Sequence, residues 1–129
     1  MLRVERIRSD LETLAKFTST PGEGVTRLAF TNEEIKARKY LEKEMLEAGL
    51  VIYHDNAGNI FGRREGKNKD APPVMFGSHI DSVVNGGAFD GAAGVVTALE
   101  AMRYINENNI ETEHPLEMVI MTEEEGGRF

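Results

Sequence analysis

The 129-residue chain is acidic, because 15 Lys and Arg face 22 Asp and Glu and give a formal net charge of −7 at pH 7. This balance excludes the basic surface that nucleic acid or an anionic membrane attracts, and the absence of cysteine excludes disulfides and thiolate metal ligands. No apolar run approaches the roughly 20 residues of a membrane span, and the amino terminus lacks the apolar core of a signal peptide. We therefore expect one cytoplasmic domain that binds neither nucleic acid nor membrane.

The first half of the chain predicts two helices followed by two short strands. VERIRSDLETLAKF repeats apolar residues at three- and four-residue steps, which indicates an amphipathic helix. Thr31 and Glu34 form a capping-box pattern that begins a second helix, and Gly49 is suited to end it. LVIYHD and NIFGRRE predict strands on either side of the turn NAGN.

The second half of the chain predicts a strand–helix–strand unit. PVMFGS and LEMVIMT are continuous apolar runs, which are typical of strands buried on both faces. The stretch between them has a helical pattern from about Gly91 to Asn108. A helix that joins two strands in this way makes them parallel, with a right-handed crossover. The predicted class is therefore α/β, with a βαβ unit at its centre.

Polar residues follow both predicted strands of this unit. His79 and Asp81 come after PVMFGS, the run EEE (residues 123–125) follows LEMVIMT, and Asp90 lies where a glycine-rich loop meets the helix. Ligands of open parallel sheets bind outside the carboxyl ends of the strands, so we expect these side chains to share one edge. One imidazole and several carboxylates without a thiolate suit zinc, manganese or cobalt.

The spacing of His79 and Asp81 predicts how the two residues interact, and the alternatives to a metal site can be compared with it. Residues two apart on a strand point to the same side, so Asp81 is expected to accept a hydrogen bond from the ring nitrogen of His79 that does not bind metal. Each residue alone also has an ordinary explanation as a surface polar residue, a helix cap or a solvated acidic run, and only the combination favours a metal. A serine hydrolase is disfavoured, because neither Ser78 nor Ser82 lies in a GxSxG elbow.

The motifs GSHIDSVVNGGAFDGAAGV and MTEEEGGRF closely resemble the dinuclear metallohydrolases related to zinc carboxypeptidases and aminoacylases. The likeness is greatest to the branch of N-carbamoyl-L-amino-acid hydrolases, allantoate amidohydrolases and β-ureidopropionases. TRLAFTNEE and DNAGNIFGRREG resemble the same family, so the likeness extends over essentially the whole chain. It implies an α-β-α sandwich catalytic domain of which residues 1–129 are the amino-terminal portion. The rest of that domain and an inserted dimerisation domain would lie downstream, and the full-length protein would be a homodimer.

The resemblance also assigns a role to each candidate site residue. It implies that two divalent ions are bound, that His79 and Glu125 are metal ligands, and that Asp90 bridges the two ions. Glu124 would be the general base, and Asp81 would orient His79. Zinc is the expected metal, with manganese or cobalt as alternatives.

The remaining acidic and histidine residues receive no such role. Glu123 is expected to be solvated support for the acidic motif. His54 and His114 match no ligand position, and both are expected at the surface.

The reaction that the resemblance implies is hydrolysis of a non-peptide C–N bond in an N-carbamoyl amino acid or a related ureido acid. Two ions would acidify a water and polarise the scissile group, and Glu124 would pass the water's proton to the leaving nitrogen. A dipeptidase or aminoacylase of the same fold is an alternative, against which the EEEGxRF form argues. A non-catalytic binding or assembly module is a second alternative for the isolated chain.

The chain by itself has an incomplete set of metal ligands in this interpretation. His79, Asp90 and Glu125 shared between two ions leave each site short of the usual three protein ligands. We therefore expect weak binding of at most one ion, no ureido-hydrolase activity, and an apolar surface that promotes self-association.

Overall fold

A computed structural model describes residues 3–129, which fold into three helices and one four-stranded sheet. The helices are α1 (Val4–Ala15), α2 (Asn32–Glu47) and α3 (Ala92–Glu107). The strands are β1 (Val51–His54), β2 (Ile60–Arg64), β3 (Val74–His79) and β4 (Leu116–Met121), in the spatial order β1-β2-β4-β3. Within the described residues, none of the helices combines the length and hydrophobicity that crossing a membrane would take.

The βαβ unit has the predicted arrangement. β3 and β4 are adjacent and parallel, with His79 opposite Met121 at their carboxyl ends, whereas the β1–β2 and β2–β4 pairs are antiparallel. α3 packs closely on β3 through a small residue, because a Cβ atom at Gly94 would lie 2.7 Å from the Cβ of Ser78. The prediction of a parallel strand pair crossed by a helix is confirmed.

The ends of α2 follow from the residues predicted to form them. The Thr31 hydroxyl accepts a hydrogen bond from the Glu34 amide at 3.4 Å, and the Glu34 carboxylate accepts one from the Phe30 amide at 3.2 Å. This is the capping box, with the acid bonding one residue earlier than in the standard motif. At the other end, Gly49 has φ +82°, a backbone conformation that glycine adopts without steric cost.

One hydrophobic core joins the three helices to the sheet. Leu14 of α1, Met45 of α2 and Leu99 of α3 are fully buried together with Met118 and Ile120 of β4. Because alternate residues of a strand point to the same face, these contacts place the helices on one face of the sheet. Residues 3–129 therefore provide two layers, helices and sheet, of the predicted α-β-α sandwich.

One prediction about the strands is wrong. The run PVMFGS was expected to be a buried strand, but in β3 the side chains of Val74 and Met75 are 52% and 53% exposed. The reason is that, in the part of the chain that the structure describes, β3 is the last strand of the sheet and has a neighbour on one side only. β4 matches its prediction, since it lies between β2 and β3 and is buried from residue 116 to residue 120.

Candidate metal centre

Three elements meet at the carboxyl edge of the parallel strand pair. β3 ends at His79, β4 ends at Met121 directly beside it, and α3 begins at Ala92 after the Asp90–Gly91 dipeptide. The segment after β4 is a turn (residues 122–125, here called the acidic turn) that carries three consecutive glutamates. The fold thus brings together all five predicted site residues: His79, Asp81, Asp90, Glu124 and Glu125.

The surroundings of His79 fix which of its ring nitrogens carries the proton. His79 is 6% exposed, and its Nδ1 lies 2.9 Å from the backbone carbonyl oxygen of Asp81. A carbonyl can only accept a hydrogen bond, so Nδ1 is the protonated nitrogen. The other ring nitrogen, Nε2, faces the Glu124 carboxylate at 3.4 Å and the Asp90 carboxylate at 3.7 Å.

The Asp81 side chain acts on the acidic turn more directly than on His79. Its carboxylate is buried and accepts hydrogen bonds from the backbone amides of Glu124 and Glu125, at 3.2 and 3.0 Å. The same carboxylate lies 3.4 Å from Nδ1 of His79, farther than the carbonyl of its own residue. Asp81 therefore connects the ends of β3 and β4, with its carbonyl oriented to the imidazole and its carboxylate to the turn.

The backbone of the acidic turn is held in an unusual conformation. Glu123 has φ +58°, in the left-handed region that non-glycine residues seldom adopt. One oxygen of its carboxylate, Oε1, accepts a hydrogen bond from the Arg128 amide at 2.6 Å, and the other, Oε2, is buried without a partner among residues 3–129. Glu123 is thus partly buried and engaged with the chain, which differs from the solvated role expected of it.

The side chains at this edge match the chemistry of a divalent cation site. Ligand atoms of His79, Glu124 and Glu125 all lie within 4.8 Å of one another. Desolvation raises the pKa of the Glu125 carboxyl, and a hydrogen bond and charge repulsion from Asp90 raise it further. A ring nitrogen that faces several carboxylate oxygens is stabilised by a proton or a metal cation between them, and one imidazole with carboxylates is a donor set that fits a hard or borderline divalent metal.

Gly91 is the residue that allows α3 to approach the imidazole. Its φ is +66°, and a Cβ atom there would lie 2.6 Å from both Cε1 and Nδ1 of His79. The carbonyl of Asp90 accepts a hydrogen bond from the Ala92 amide at 2.6 Å at the start of the helix. A side chain at position 91 would displace His79. Glycine is therefore required here both by the close contact with His79 and by the positive φ of the backbone.

The other histidines lie away from this edge, as predicted. His54 is exposed and its Nε2 lies 2.6 Å from the Glu42 carboxylate. His114 is exposed and its Nδ1 lies 2.8 Å from the carbonyl of Pro72.

Sequence reasoning missed Arg27, a buried residue whose side chain contacts the segment between His79 and Asp81. Its Nε donates a hydrogen bond to the Ile80 carbonyl at 2.6 Å. The signal in the sequence was an arginine inside the otherwise apolar stretch VTRLAF, preceding the second helix.

A family model described as peptidase family M28 matches residues 59–129, which is more than half of the chain and includes every predicted site residue. The chain belongs to peptidase family M28. The matched residues begin in the turn between β1 and β2 and include the βαβ unit and the acidic turn.

Relatives of this M28 chain confirm the narrower resemblance. Over all 129 residues it is 48% identical to an N-carbamoyl-L-amino acid amidohydrolase of Geobacillus stearothermophilus and covers 32% of that protein. Over 119 residues, 92% of the chain, it is 40% identical to an allantoate amidohydrolase of Bacillus subtilis (strain 168) and covers 29% of it.

A solved structure of the same group of enzymes has the same fold as this chain. A hydantoinase/carbamoylase family amidase from Burkholderia multivorans is 45% identical and superposes with a TM-score of 0.95 over 99% of this chain and 31% of that one. The chain therefore spans about a third of the length of the relatives it matches.

Proposed function

We propose that the chain is the amino-terminal portion of a metal-dependent amidohydrolase that cleaves the ureido C–N bond of N-carbamoyl-L-amino acids or of allantoate. The observation that carries the proposal is the convergence of His79, Glu124 and Glu125 within 4.8 Å at the carboxyl edge of two parallel strands. The naming of relatives at 48% and 40% identity as N-carbamoyl-L-amino acid and allantoate amidohydrolases supports the substrate class.

In this proposal the residues at the edge divide into ligands and a base. His79, through Nε2, and the carboxylates of Asp90 and Glu125 are the groups that would hold two divalent ions, zinc or alternatively manganese or cobalt, and Asp90 is the carboxylate that both ions would share. When bound, such ions polarise the scissile carbonyl and acidify a water. Glu124 takes the proton of the attacking water and delivers it to the leaving nitrogen. With an N-carbamoyl substrate the products are the amino acid, ammonia and carbon dioxide.

Residues outside the described chain complete the enzyme in this proposal. They supply the remaining metal ligands, most contacts to the small-molecule substrate, and the surface of a homodimer. We also place the enzyme in the cytoplasm, a proposal supported by the acidic composition and the absence of cysteine.

A chimeric enzyme tests the proposal. This chain replaces the corresponding amino-terminal third of the Geobacillus stearothermophilus relative, and ammonia release is measured with an N-carbamoyl-L-amino acid and with allantoate. We expect turnover of at least one of them. A folded, metal-loaded chimera that hydrolyses neither would contradict the proposal.

The chimera also tests the roles of single residues. Glu124→Gln should lower kcat by about 10²–10⁴-fold with metal content unchanged, because it removes a base and leaves the ligands. Asp90→Ala should instead lose bound metal. Glu123→Gln is the neighbouring control and should keep kcat within a few-fold of the parent chimera. Near-normal turnover by Glu124→Gln at full metal occupancy would show that another group is the base.

A dipeptidase is the second candidate, favoured by the description of the matching family as peptidases. The same chimera, offered a dipeptide and an N-acyl amino acid, separates the two. Faster turnover of either than of the N-carbamoyl substrate would support the peptidase or aminoacylase reaction.

A further inference from the structure

Arg27 is among the most deeply buried side chains of the molecule, although it carries a charge. It lies in the connection between α1 and α2 and is 2% exposed. Its guanidinium donates hydrogen bonds to three backbone carbonyls: Nε to Ile80 at 2.6 Å, and Nη1 to Leu14 at 2.7 Å and to Phe17 at 3.2 Å. One side chain thus joins the end of α1 to the segment that follows β3.

The backbone of Arg27 holds the same segment at a second point. The Arg27 amide donates to the Ser82 hydroxyl at 2.8 Å, and the Ser82 amide donates to the Arg27 carbonyl at 2.9 Å. The side chain bonds residue 80 and the main chain bonds residue 82. Asp81 is therefore held from both sides by one residue.

Burying an arginine has a large free-energy cost, because its charge is removed from water. Desolvation lowers the pKa of Arg27 to about 10, although the negative charges of Glu34 and Asp81 partly offset this effect by raising the pKa. The guanidinium therefore remains protonated at neutral pH. An apolar side chain of similar volume would pack there without the penalty of burying a charge. What a guanidinium adds is a rigid planar set of donors that fixes the directions of several carbonyls at once.

We infer that Arg27 is a positioning residue of the metal centre, which acts by fixing the two peptides that flank Asp81. Its side chain holds the Ile80 carbonyl, and its main-chain carbonyl holds the Ser82 amide. With both peptides held, the Asp81 carbonyl faces Nδ1 of His79 and the Asp81 carboxylate faces the amides of the acidic turn. Arg27 thereby favours the His79 tautomer with the proton on Nδ1, which leaves Nε2 available to bind a metal ion. The inference rests on the proposed function where it treats these groups as a metal site.

The test compares two equivalent substitutions in this chain, Arg27→Lys and Arg103→Lys. Arg103 is a matched control, because it is 6% exposed, is bonded to Asp10 and Glu44, and lies eleven residues beyond Ala92 on α3, about 16 Å along the helix. Each lysine keeps the charge and removes the planar fork of donors. Circular dichroism and thermal unfolding establish that each variant is folded.

The first measurement is nitrogen NMR of the His79 ring without metal, recorded as a pH series and read where the ring nitrogen shifts no longer change as the pH is raised. We expect the Nδ1–H tautomer in the wild-type chain and in Arg103→Lys, and a mixture of tautomers in Arg27→Lys. The second measurement is calorimetric titration with zinc near neutral pH. Arg27→Lys should bind zinc at least about tenfold more weakly, equivalent to about 1.4 kcal/mol, and Arg103→Lys should match the wild type.

An unchanged tautomer and zinc affinity in Arg27→Lys would overturn the inference, as would equal losses in Arg103→Lys. If Arg27→Lys does not fold, Arg27→Gln replaces it, because it removes the buried charge together with the planar fork of donors to Ile80, Leu14 and Phe17. An unchanged His79 tautomer in that variant would overturn the inference in the same way. Failure of the proposed function is separate, since it would appear as an inactive chimera while the tautomer still depended on Arg27.

Discussion

Contacts around the His79 imidazole show how a single residue without a side chain contributes to the site. Gly91 leaves room for the ring, and a methyl group in its place would overlap Cε1 and Nδ1 at 2.6 Å. Position 91 also has a positive φ, which costs a residue with a Cβ atom about 1–3 kcal/mol. Asp90, a candidate ligand, is therefore followed directly by Gly91, whose missing side chain leaves room for His79, a second candidate ligand.

Gly91→Ala should therefore weaken both folding and metal binding. We expect its free energy of unfolding to fall by at least about 1–3 kcal/mol and zinc affinity to fall because His79 is displaced. Gly87→Ala is the control, since a Cβ atom there meets nothing within 4 Å. Urea unfolding and zinc calorimetry measure the two effects. Equal behaviour of the two variants would show that the contact with His79 is unimportant.

The residues that sequence reasoning identified at the site are those that follow apolar strands. His79, Asp81 and the acidic turn could be predicted because the ends of parallel strands meet at one edge. Arg27 could not, because its role depends on a loop from before the second helix folding against residues 80 and 82. That the Asp81 carbonyl is closer than its carboxylate to the imidazole depends on the same long-range contact.

At the scale of elements, α1 is attached to α3 by a buried ion pair. The Glu100 carboxylate, 1% exposed, accepts hydrogen bonds from Arg6 Nε at 2.6 Å and from the Arg3 amide at 2.9 Å. Burial would raise the pKa of Glu100, but these hydrogen bonds and the charge of Arg103 outweigh it and hold the pKa below its usual 4.5. The ionised form is therefore the one that stabilises the fold.

The consequence is a defined pH dependence. A carboxyl with a depressed folded pKa contributes stability above its unfolded pKa and loses it as pH falls through the folded value. Glu100→Gln should lower the free energy of unfolding by about 3 kcal/mol at neutral pH, the cost of breaking a buried pair. Its deficit relative to the wild type should shrink as the pH falls below the ordinary value of 4.5 and through the lower pKa of the folded state, where Glu100 itself becomes protonated.

Urea unfolding at neutral and acid pH measures this deficit. Glu107→Gln is the matched control, because Glu107 bonds the same arginine but its side chain is 41% exposed. Its loss should be the smaller of the two. A deficit for Glu100→Gln that is the same at both pH values would contradict the assignment of the pair.

Local sequence signals predicted the elements well where they depend on neighbouring residues. The capping box at Thr31, the glycine stop at Gly49 and the helix after Gly91 all lie where the sequence placed them. The burial of β3 was the failure, because an apolar run does not specify whether a strand has one neighbour or two. That information resides in the strand order, which depends on contacts far apart in sequence.

For the molecule as a whole, the distribution of exposed apolar side chains is uneven. Met75 and Met121, 53% and 44% exposed, lie on the strand face opposite the helical core, and Tyr53 on β1 is 40% exposed. Exposed apolar surface beside an edge strand with free backbone groups promotes association between copies. We expect this chain to self-associate through β3.

Met75→Lys should weaken that association by about tenfold, since burying a methionine contributes about 1.5–3 kcal/mol and 1.4 kcal/mol is a factor of ten. Sedimentation velocity over a concentration series measures the change. Leu46→Lys is the control, because Leu46 is 60% exposed but lies on α2. If both lysines weaken association equally, the sheet is not the interface.

The central claim is that the carboxyl edge of β3 and β4 binds a divalent cation through His79 and the carboxylates beside it. Calorimetric titration of this chain with zinc, alongside His79→Gln, tests it most directly. We predict weak binding of at most one ion by the wild-type chain and a loss of at least about tenfold in His79→Gln. Equal binding by the two proteins would contradict the assignment of His79, and tight binding of two ions would contradict the view that this chain holds an incomplete ligand set.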